Sequence, residues 1–437
     1  MVWKIQLTVR SIGLIIGCIL ALCPIAAAQS YSLSDTIREA LAANLEIKAS
    51  REATRAALAT RKASRTTFFP TFSAAYQYQR NDESSSIGGF SMSSKELYVL
   101  NTGFSQPIFT GFALLSQYRI DGLNLDVAEL SEKLVRQDVI LTAKQVYFNV
   151  LKAQKLLKVA EDTVANLTAQ KEVARDFHEV GMTPLNDLLE AQVALANARQ
   201  AMVVAKNDLA IAEANFNVVL RRPVNSAVIV DDILDYKPFG PGIDYCLKTA
   251  RANRLEVRAS ELEVSIAERE VKLSQSGYYP TVTVDGDYFR RGTNWDVDGG
   301  SGIYDPDGWT VTALASWDFW EWGRTAYGVS EKRSRMMQAI YRRDQLLDTI
   351  ELQVKEAFLK TREAETNITT VEKAIEQARE NLRINEERYK EQVATTNDVL
   401  DAQVLLSRTM TNYFSALYDF KLSKAALYRA MGQEDIK

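Results

Sequence analysis

Apolar positions recur with two different periods along this chain, and the switches between them divide it into elements. From about Tyr31 to Thr67 an alanine-rich pattern repeats at helical spacing, with Ser34 or Asp35 available as a cap, and it stops ahead of Pro70. The period then falls to two. Phe72, Ala74, Tyr76 and Tyr78 form an apolar face opposite Thr71, Ser73, Gln77 and Gln79, which predicts a strand, and Leu97 to Phe109 reads as its return partner beyond a Ser/Gly-rich stretch, Ser84 to Ser94. Helical spacing resumes at Phe112. Between there and Arg222 only Gly122, Gly181 and Pro184 interrupt it. A continuous helix to Val180 would be roughly 100 Å long at ~1.5 Å per residue, and Leu185 to Arg221 would return along half of it.

The same order then repeats. Ala40 to Pro70 matches Ala250 to Pro280 at an offset of 210, keeping Leu45 with Leu255, Glu46 with Glu256 and Ala49-Ser50 with Ala259-Ser260. Farther on the offset is 211, where Asn186-Asp187-Leu188-Leu189-Glu190-Ala191-Gln192 matches Asn397-Asp398-Val399-Leu400-Asp401-Ala402-Gln403. The second strand pair sets Val282, Val284 and Tyr288 against Thr281, Thr283, Asp285 and Asp287, then Trp309, Val311, Ala313, Ala315 and Trp317 against Thr310, Thr312 and Ser316. A tandem duplication follows: repeat 1 over 29–222 with a strand hairpin at about 70–109, a Pro/Gly-rich linker over 223–242, and repeat 2 over 243–437 with a hairpin at about 280–321.

Twenty glycines and nine prolines, about 7% of 437 residues, are too few for a loop-rich or all-β protein. At the amino terminus, Lys4 and Arg10 precede an apolar run, Ile12 to Cys23, and Ala26-Ala27-Ala28 is a small-residue cleavage site, so residues 1–28 read as a secretory signal peptide. Lipidation at Cys18 or an uncleaved anchor are the alternatives. Cleavage after Ala28 leaves 50 basic and 56 acidic residues and the single Cys246, which excludes an internal disulfide and gives no basic patch for nucleic acid. No later window is apolar enough for a transmembrane helix. The lone His178 reads as a solvated helix residue and not a metal ligand. With no phosphate-binding glycine loop and no nucleophile beside a base, neither a cofactor nor enzyme activity is expected.

An isolated hairpin is marginal in water, so the strands need partners. One solution is a small soluble sheet on the helices. The other is a transmembrane barrel with apolar side chains toward lipid, which four strands cannot close, since even small barrels need about eight. That requires several chains. Leu134, Leu141 and Phe148, with Ala191, Ala194, Ala198, Ala201, Ala205 and Ala212, have the spacing of a coiled coil or of an antiparallel bundle with an alanine-rich core.

Certain pieces resemble the TolC-like outer-membrane efflux protein family: Gln106-Pro107-Ile108-Phe109-Thr110-Gly111, its counterpart Trp317-Asp318-Phe319-Trp320-Glu321-Trp322-Gly323-Arg324, and Val180-Gly181-Met182-Thr183 ahead of the duplicated acidic motif. The resemblance implies a mainly α protein with transmembrane β: a homotrimer whose twelve-stranded outer-membrane barrel, four strands per chain, continues into a periplasmic α-helical barrel. It further implies a passive exit duct of a tripartite efflux or type I secretion system, docked through a periplasmic adaptor to an inner-membrane transporter. Asp398 and Asp401 match the family's constriction acids, where six carboxylates of a trimer would favour cations. Asp187 and Glu190 hold the equivalent places in repeat 1. For all four the local alternative is a helix-end acid favoured by the dipole, with Thr395, Thr396 or Asn397 capping one helix and Thr183-Pro184 the other.

Gly181, Met182, Thr183, Tyr389 and Gln392 match the periplasmic tip and adaptor-docking region. Tyr389 matches a tip-linking tyrosine, but the family's arginine position holds Ala394, so any closing lock must use other bonds. Gln392 stands where the second tip usually has glycine. Trp309, Trp317, Trp320 and Trp322 are expected at the membrane interfaces, in contact with lipid. A secreted coiled-coil scaffold or adaptor with a soluble β subdomain is the alternative function.

Overall fold

The computed structural model describes residues 30–83, 86–87, 90–91, 94–233 and 236–434; the signal peptide and Cys18 lie outside them. Repeat 1 runs α1 (Leu33–Ala43), α2 (Leu45–Thr66), β1 (Thr71–Arg80), the short β2 (Ser86–Ile87) and β3 (Phe90–Ser91), β4 (Glu96–Thr110), α3 (Ala113–Glu179) and α4 (Leu185–Val219). Repeat 2 runs α5 (Ile243–Asn253), α6 (Leu255–Ser274), a 3-10 turn at Gln275–Tyr278, β5 (Thr281–Gly292), β6 (Asp307–Ser316), α7 (Arg324–Lys390) and α8 (Thr396–Ala430). Both long helices have 67 residues and both returning helices 35.

The first helical stretch is two helices, not the single one its periodicity predicts. At Asn44 the backbone turns extended (ψ 132°) and the side-chain carbonyl accepts from the amides of Glu46 (2.7 Å) and Ile47 (3.1 Å), capping α2. Such a cap satisfies donors that a continuous helix would have bonded itself. Its duplicate, Arg254, breaks the second stretch with the same extended backbone (ψ 119°) but without a side-chain cap. The cap of α1 is Ser32 and not Ser34 or Asp35: Ser32 Oγ accepts from the Asp35 amide at 3.1 Å and donates to its carboxylate at 2.6 Å.

The two hairpins are partners of each other. One antiparallel sheet has the order β1-β4-β5-β6, so β4 and β5 join the repeats and both β1 and β6 are open edges. Register places Phe72, Phe104, Gly286 and Val311 in one cross-strand row, and Ala74, Thr102, Tyr288 and Trp309 in the next. The opposite face carries Ser73, Gly103, Asp287 and Thr310, then Thr71, Ser105, Asp285 and Thr312. A bulge between Pro107 and Phe109 returns Phe109 to the aromatic side, opposite Val282.

At the middle of the helices, two cores bury α1 and α5 against the long helices. Ile37, Ala40, Tyr147, Phe148 and Phe216 pack with linker residues Val228 and Val230, and Cys246, Ile350, Val354, Phe420 and Leu427 with Phe239. Phe148 is buried as its heptad predicts, but Leu134 and Leu141 are only half-buried. The buried line shifts to Ile140, Ala143, Tyr147 and Leu151 because α3 meets α1, α2, α4, α6 and α8 on several sides, which no two-helix seam describes. Of the alanine series, Ala191 and Ala198 are buried and Ala201 is exposed.

Four duplicated positions are left-handed in both repeats: Gly111 (φ 60°) with Trp322 (53°), Phe112 (69°) with Gly323 (84°), Gly181 (75°) with Gln392 (59°), and Arg221 (57°) with Gly432 (70°). Each pair contains one glycine. Helix ends impose the conformation, and only one copy of each carries the residue that adopts it without steric cost.

Candidate functional site

The turns joining the long and returning helices are built alike. In the first, the Met182 amide bonds the Phe177 carbonyl (2.8 Å) and the Gly181 amide that of His178 (2.9 Å); in the second, Val393 bonds Arg388 (2.8 Å) and Gln392 bonds Tyr389 (3.0 Å). His178 and Tyr389 are duplicates of one position. His178 Nδ1 donates to the Thr183 carbonyl at 3.1 Å, so this histidine braces its turn and is not a free solvated side chain. No group of metal-ligating side chains occurs among the described residues.

Tyr389 is 3% exposed, its ring 5.5 Å from that of Phe177 on α3. Thr396 Oγ1 lies 3.1 Å from the Tyr389 hydroxyl and 3.1 Å from Asp187 Oδ2 on α4. A carboxylate only accepts, so the Thr396 proton points to Asp187 and the tyrosine donates to Thr396. Hydrogen bonds thus join α4, α7 and α8, and the Phe177 ring brings α3 against them. Sequence reasoning treated Thr396 only as a possible cap and missed Phe177; the available signal was the small hydroxyl residue one turn beyond Tyr389. Burial pushes the Tyr389 hydroxyl up from its usual range, and it remains a neutral donor.

The acids separate. Asp398 forms a capping box: its amide bonds Thr395 Oγ1 (3.3 Å), and its carboxylate accepts from the Thr395 amide and hydroxyl, both at 2.8 Å. Those bonds, backbone first, with Arg388 adding to them, hold its carboxyl below the usual range. Thr395 is the cap among the three candidates. Asp401 is exposed one turn on, while Glu190 accepts from Asn186 Nδ2 at 2.6 Å. In repeat 1 Thr183 does not cap: Pro184 is the N-cap residue with no side-chain bond, and Thr183 Oγ1 is buried without a partner. Gly181, Met182 and Gln392 are exposed; Thr183 is half-buried.

At the other end, Trp309 is exposed near the start of β6, and Trp317, Trp320 and Trp322 are exposed beyond its last residue, Ser316, so Trp317 does not belong to the strand alternation expected of it. From Trp309 to Trp317 an extended chain spans about 26 Å at ~3.3 Å per residue, which a barrel strand tilt of ~35–45° projects to roughly 19–22 Å, somewhat less than the ~25 Å apolar band of outer-membrane barrels. Trp320 and Trp322 stack edge to face, centroids 5.6 Å apart. Phe104 lies across Gly286, where an added Cβ would come within 2.4 Å of the ring, and on the polar face the Asp287 carboxylate crowds Gly103 in the same way. No described helix is long and apolar enough to cross a membrane.

The sequence profile of the outer membrane efflux protein family matches residues 36–220 and 246–433, one segment per repeat. Outer membrane protein TolC of Vibrio cholerae serotype O1 is 23% identical over 381 residues, 82% of this chain and 80% of that protein. Among solved structures, VceC from Vibrio cholerae superposes with a TM-score of 0.81 at 14% identity, covering 92% of this chain and 96% of that one. The Campylobacter jejuni CmeC outer membrane channel gives 0.80 at 16% (92% and 87%), and the open state of the Neisseria gonorrhoeae MtrE outer membrane channel 0.73 at 18% (92% and 89%).

Proposed function

This chain belongs to the outer membrane efflux protein family and resides in the outer membrane with its helices in the periplasm; from that premise we propose that it is the passive exit duct of a tripartite efflux or type I secretion system. The observation that carries the reading is the sheet. One face is aromatic and apolar, the other is polar, and both edges are open, so three copies would close a twelve-stranded barrel with lipid outside and a wet lumen inside. Trp309 sits at one membrane interface and Trp317, Trp320 and Trp322 at the other. Each strand pair hands directly to a 67-residue helix, which carries the lumen roughly 100 Å into the periplasm.

The turns at the far end meet a periplasmic adaptor, through which an inner-membrane transporter supplies the energy. Gly181 and Met182 of the first turn and Gln392 of the second are exposed for that contact. Tyr389, buried, shapes the tip from within and does not present itself to a partner. The bond from Thr396 to Asp187 takes the part of a closing lock in a tip with Ala394 at the arginine position. Asp398 and Asp401 of three chains ring the narrow end, with Asp187 and Glu190 behind them.

Planar-bilayer conductance tests the reading, with wild type beside Asp398→Asn combined with Asp401→Asn. A small cation-selective conductance that loses selectivity in the double variant supports duct and constriction together. Unchanged selectivity would reduce the two acids to helix-end residues, and no conductance from folded protein would end the duct reading.

A further inference from the structure

The connection between β5 and β6, residues 293–306, does not stand up from the end of the sheet. An added Cβ on Gly292 would come within 2.6 Å of the Val297 Cα, and Gly292 shares its face with Tyr288, because side chains two apart on a strand point the same way. The loop backbone therefore lies over the aromatic face of the sheet and not over the polar one. Three backbone bonds hold its base: the Thr293 amide to the Gly299 carbonyl (2.9 Å), the Gly299 amide to that of Arg291 (3.0 Å) and the Arg291 amide to that of Pro306 (2.6 Å). Val297 is buried beneath it. From β1, 219 positions away, the Tyr76 hydroxyl donates to the Trp295 carbonyl, while Trp295 itself remains 78% exposed.

We infer that this loop is a foot on the outer leaflet of the membrane, with the Trp295 ring in the lipid headgroup layer. This rests on the barrel reading above, in which the helices leave one end of the sheet toward the periplasm and the loop end faces outward. Charge marks the level. The rows of the aromatic face that contain Val284, Gly286 and Tyr288 carry no charged side chain, and the next row outward, Tyr76, Leu100, Arg290 and Asp307, is the first that does. Tyr76, in that row, is the residue that holds Trp295. An indole favours such a border, where its ring meets lipid and its N–H meets water.

The heights agree. Two residues of strand separate the row of Trp309 from that of Tyr76, ~6.6 Å of chain, or about 5 Å along the membrane normal at the tilt of barrel strands. Trp309 and Trp317 alone fall short of a ~25 Å apolar band, whereas the span from the Tyr76 level to Trp317 is about 24–27 Å. The loop thus supplies the outer rim of the band that the strand is too short to reach. Asp296 and Asp298, on either side of the buried Val297, are exposed and stay in the wet layer. Folded to the lipid side, the loop also leaves the mouth of the lumen uncovered.

Tryptophan quenching tests the placement, in the full chain reconstituted into phosphatidylcholine vesicles whose acyl chains carry bromine near the headgroup. The difference in emission between wild type and Trp295→Phe isolates Trp295, and Trp309→Phe isolates Trp309 in the same way. The brominated lipid should quench the Trp295 signal as strongly as that of Trp309, and iodide in the water should affect the two alike. Quenching of Trp309 by the lipid, with Trp295 answering only to iodide, would overturn the foot and leave the barrel standing. If neither signal answers to brominated lipid in protein that floats with the vesicles, the barrel reading itself falls and the foot with it.

Discussion

Thr396 on α8 hydrogen-bonds Asp187 on α4 at 3.1 Å while receiving the hydroxyl of Tyr389 at the same distance. These two residues lie 209 positions apart and tie the tip of one repeat to the tip of the other. Replacing Thr396 with valine keeps its shape and removes both bonds, leaving the Tyr389 hydroxyl buried without a partner at a cost of about 1–3 kcal/mol. We expect Thr396→Val to raise single-channel conductance in planar bilayers and Thr396→Ser to preserve the wild-type value; equal conductance in all three would show that this bond does not hold the tip.

The second turn carries strain that the first does not. Gln392 adopts φ 59° where its duplicate Gly181 adopts 75°, and a side chain in that region costs about 1–2 kcal/mol. Gln392→Gly should relieve about 1 kcal/mol of it, less the added freedom of the unfolded glycine, and Gly181→Gln should destabilise by a similar amount. Local amide exchange at the two turns reads both effects, which should have opposite signs.

Acid should loosen the second tip through its cap. Hydrogen bonds to Thr395 hold the Asp398 carboxyl below its usual range, so the ionised group favours the folded turn above the unfolded Asp value of about 3.9. That contribution is lost as pH falls through the lower folded value. The protection of the Thr395 and Asp398 amides, relative to their intrinsic exchange at each pH, should fall in this acid window in wild type and stay constant in Asp398→Asn. A wild-type turn indifferent to acid would remove the capping box as its stabiliser.

In the sheet, the Phe104 ring occupies the space over Gly286 that any β-carbon would need. Gly286→Val should force the ring aside and destabilise the sheet by about 1–3 kcal/mol, lowering the temperature at which the assembled protein dissociates on semi-native gels. Combining it with Phe104→Ala should recover part of the loss, since the clash then disappears. Additive losses would mean that the two side chains do not compete for this space.

Much of the architecture was legible in the chain because local rules carry it. Period 2 near Phe72 and near Trp309, the near absence of glycine from Phe112 to Val180, and the repeated Asp-hydrophobic-Leu-acid motif at Asp187 and Asp398 respond to backbone geometry a few residues wide. Breaks at Asn44 and Arg254 were less legible. At Asn44 the helix stops by a cap worth about 1 kcal/mol, and at Arg254 by a backbone turn with no side-chain cap at all, neither of which disturbs the apolar period on either side. The role of Thr396 was invisible for another reason: its partner is on a different repeat, and only the crossing of α4 with α8 brings it within a hydrogen bond.

By itself, then, the sequence determined the long and returning helices, the strand pairs and their duplication, because helix and strand periods are written in neighbouring side chains. Tertiary structure alone decided that β4 joins β5, that Tyr76 holds the loop after β5, and which hydroxyl reaches Asp187. Those outcomes depend on contacts between residues some two hundred positions apart, whose free energies are comparable to those of their competitors until the whole chain has packed.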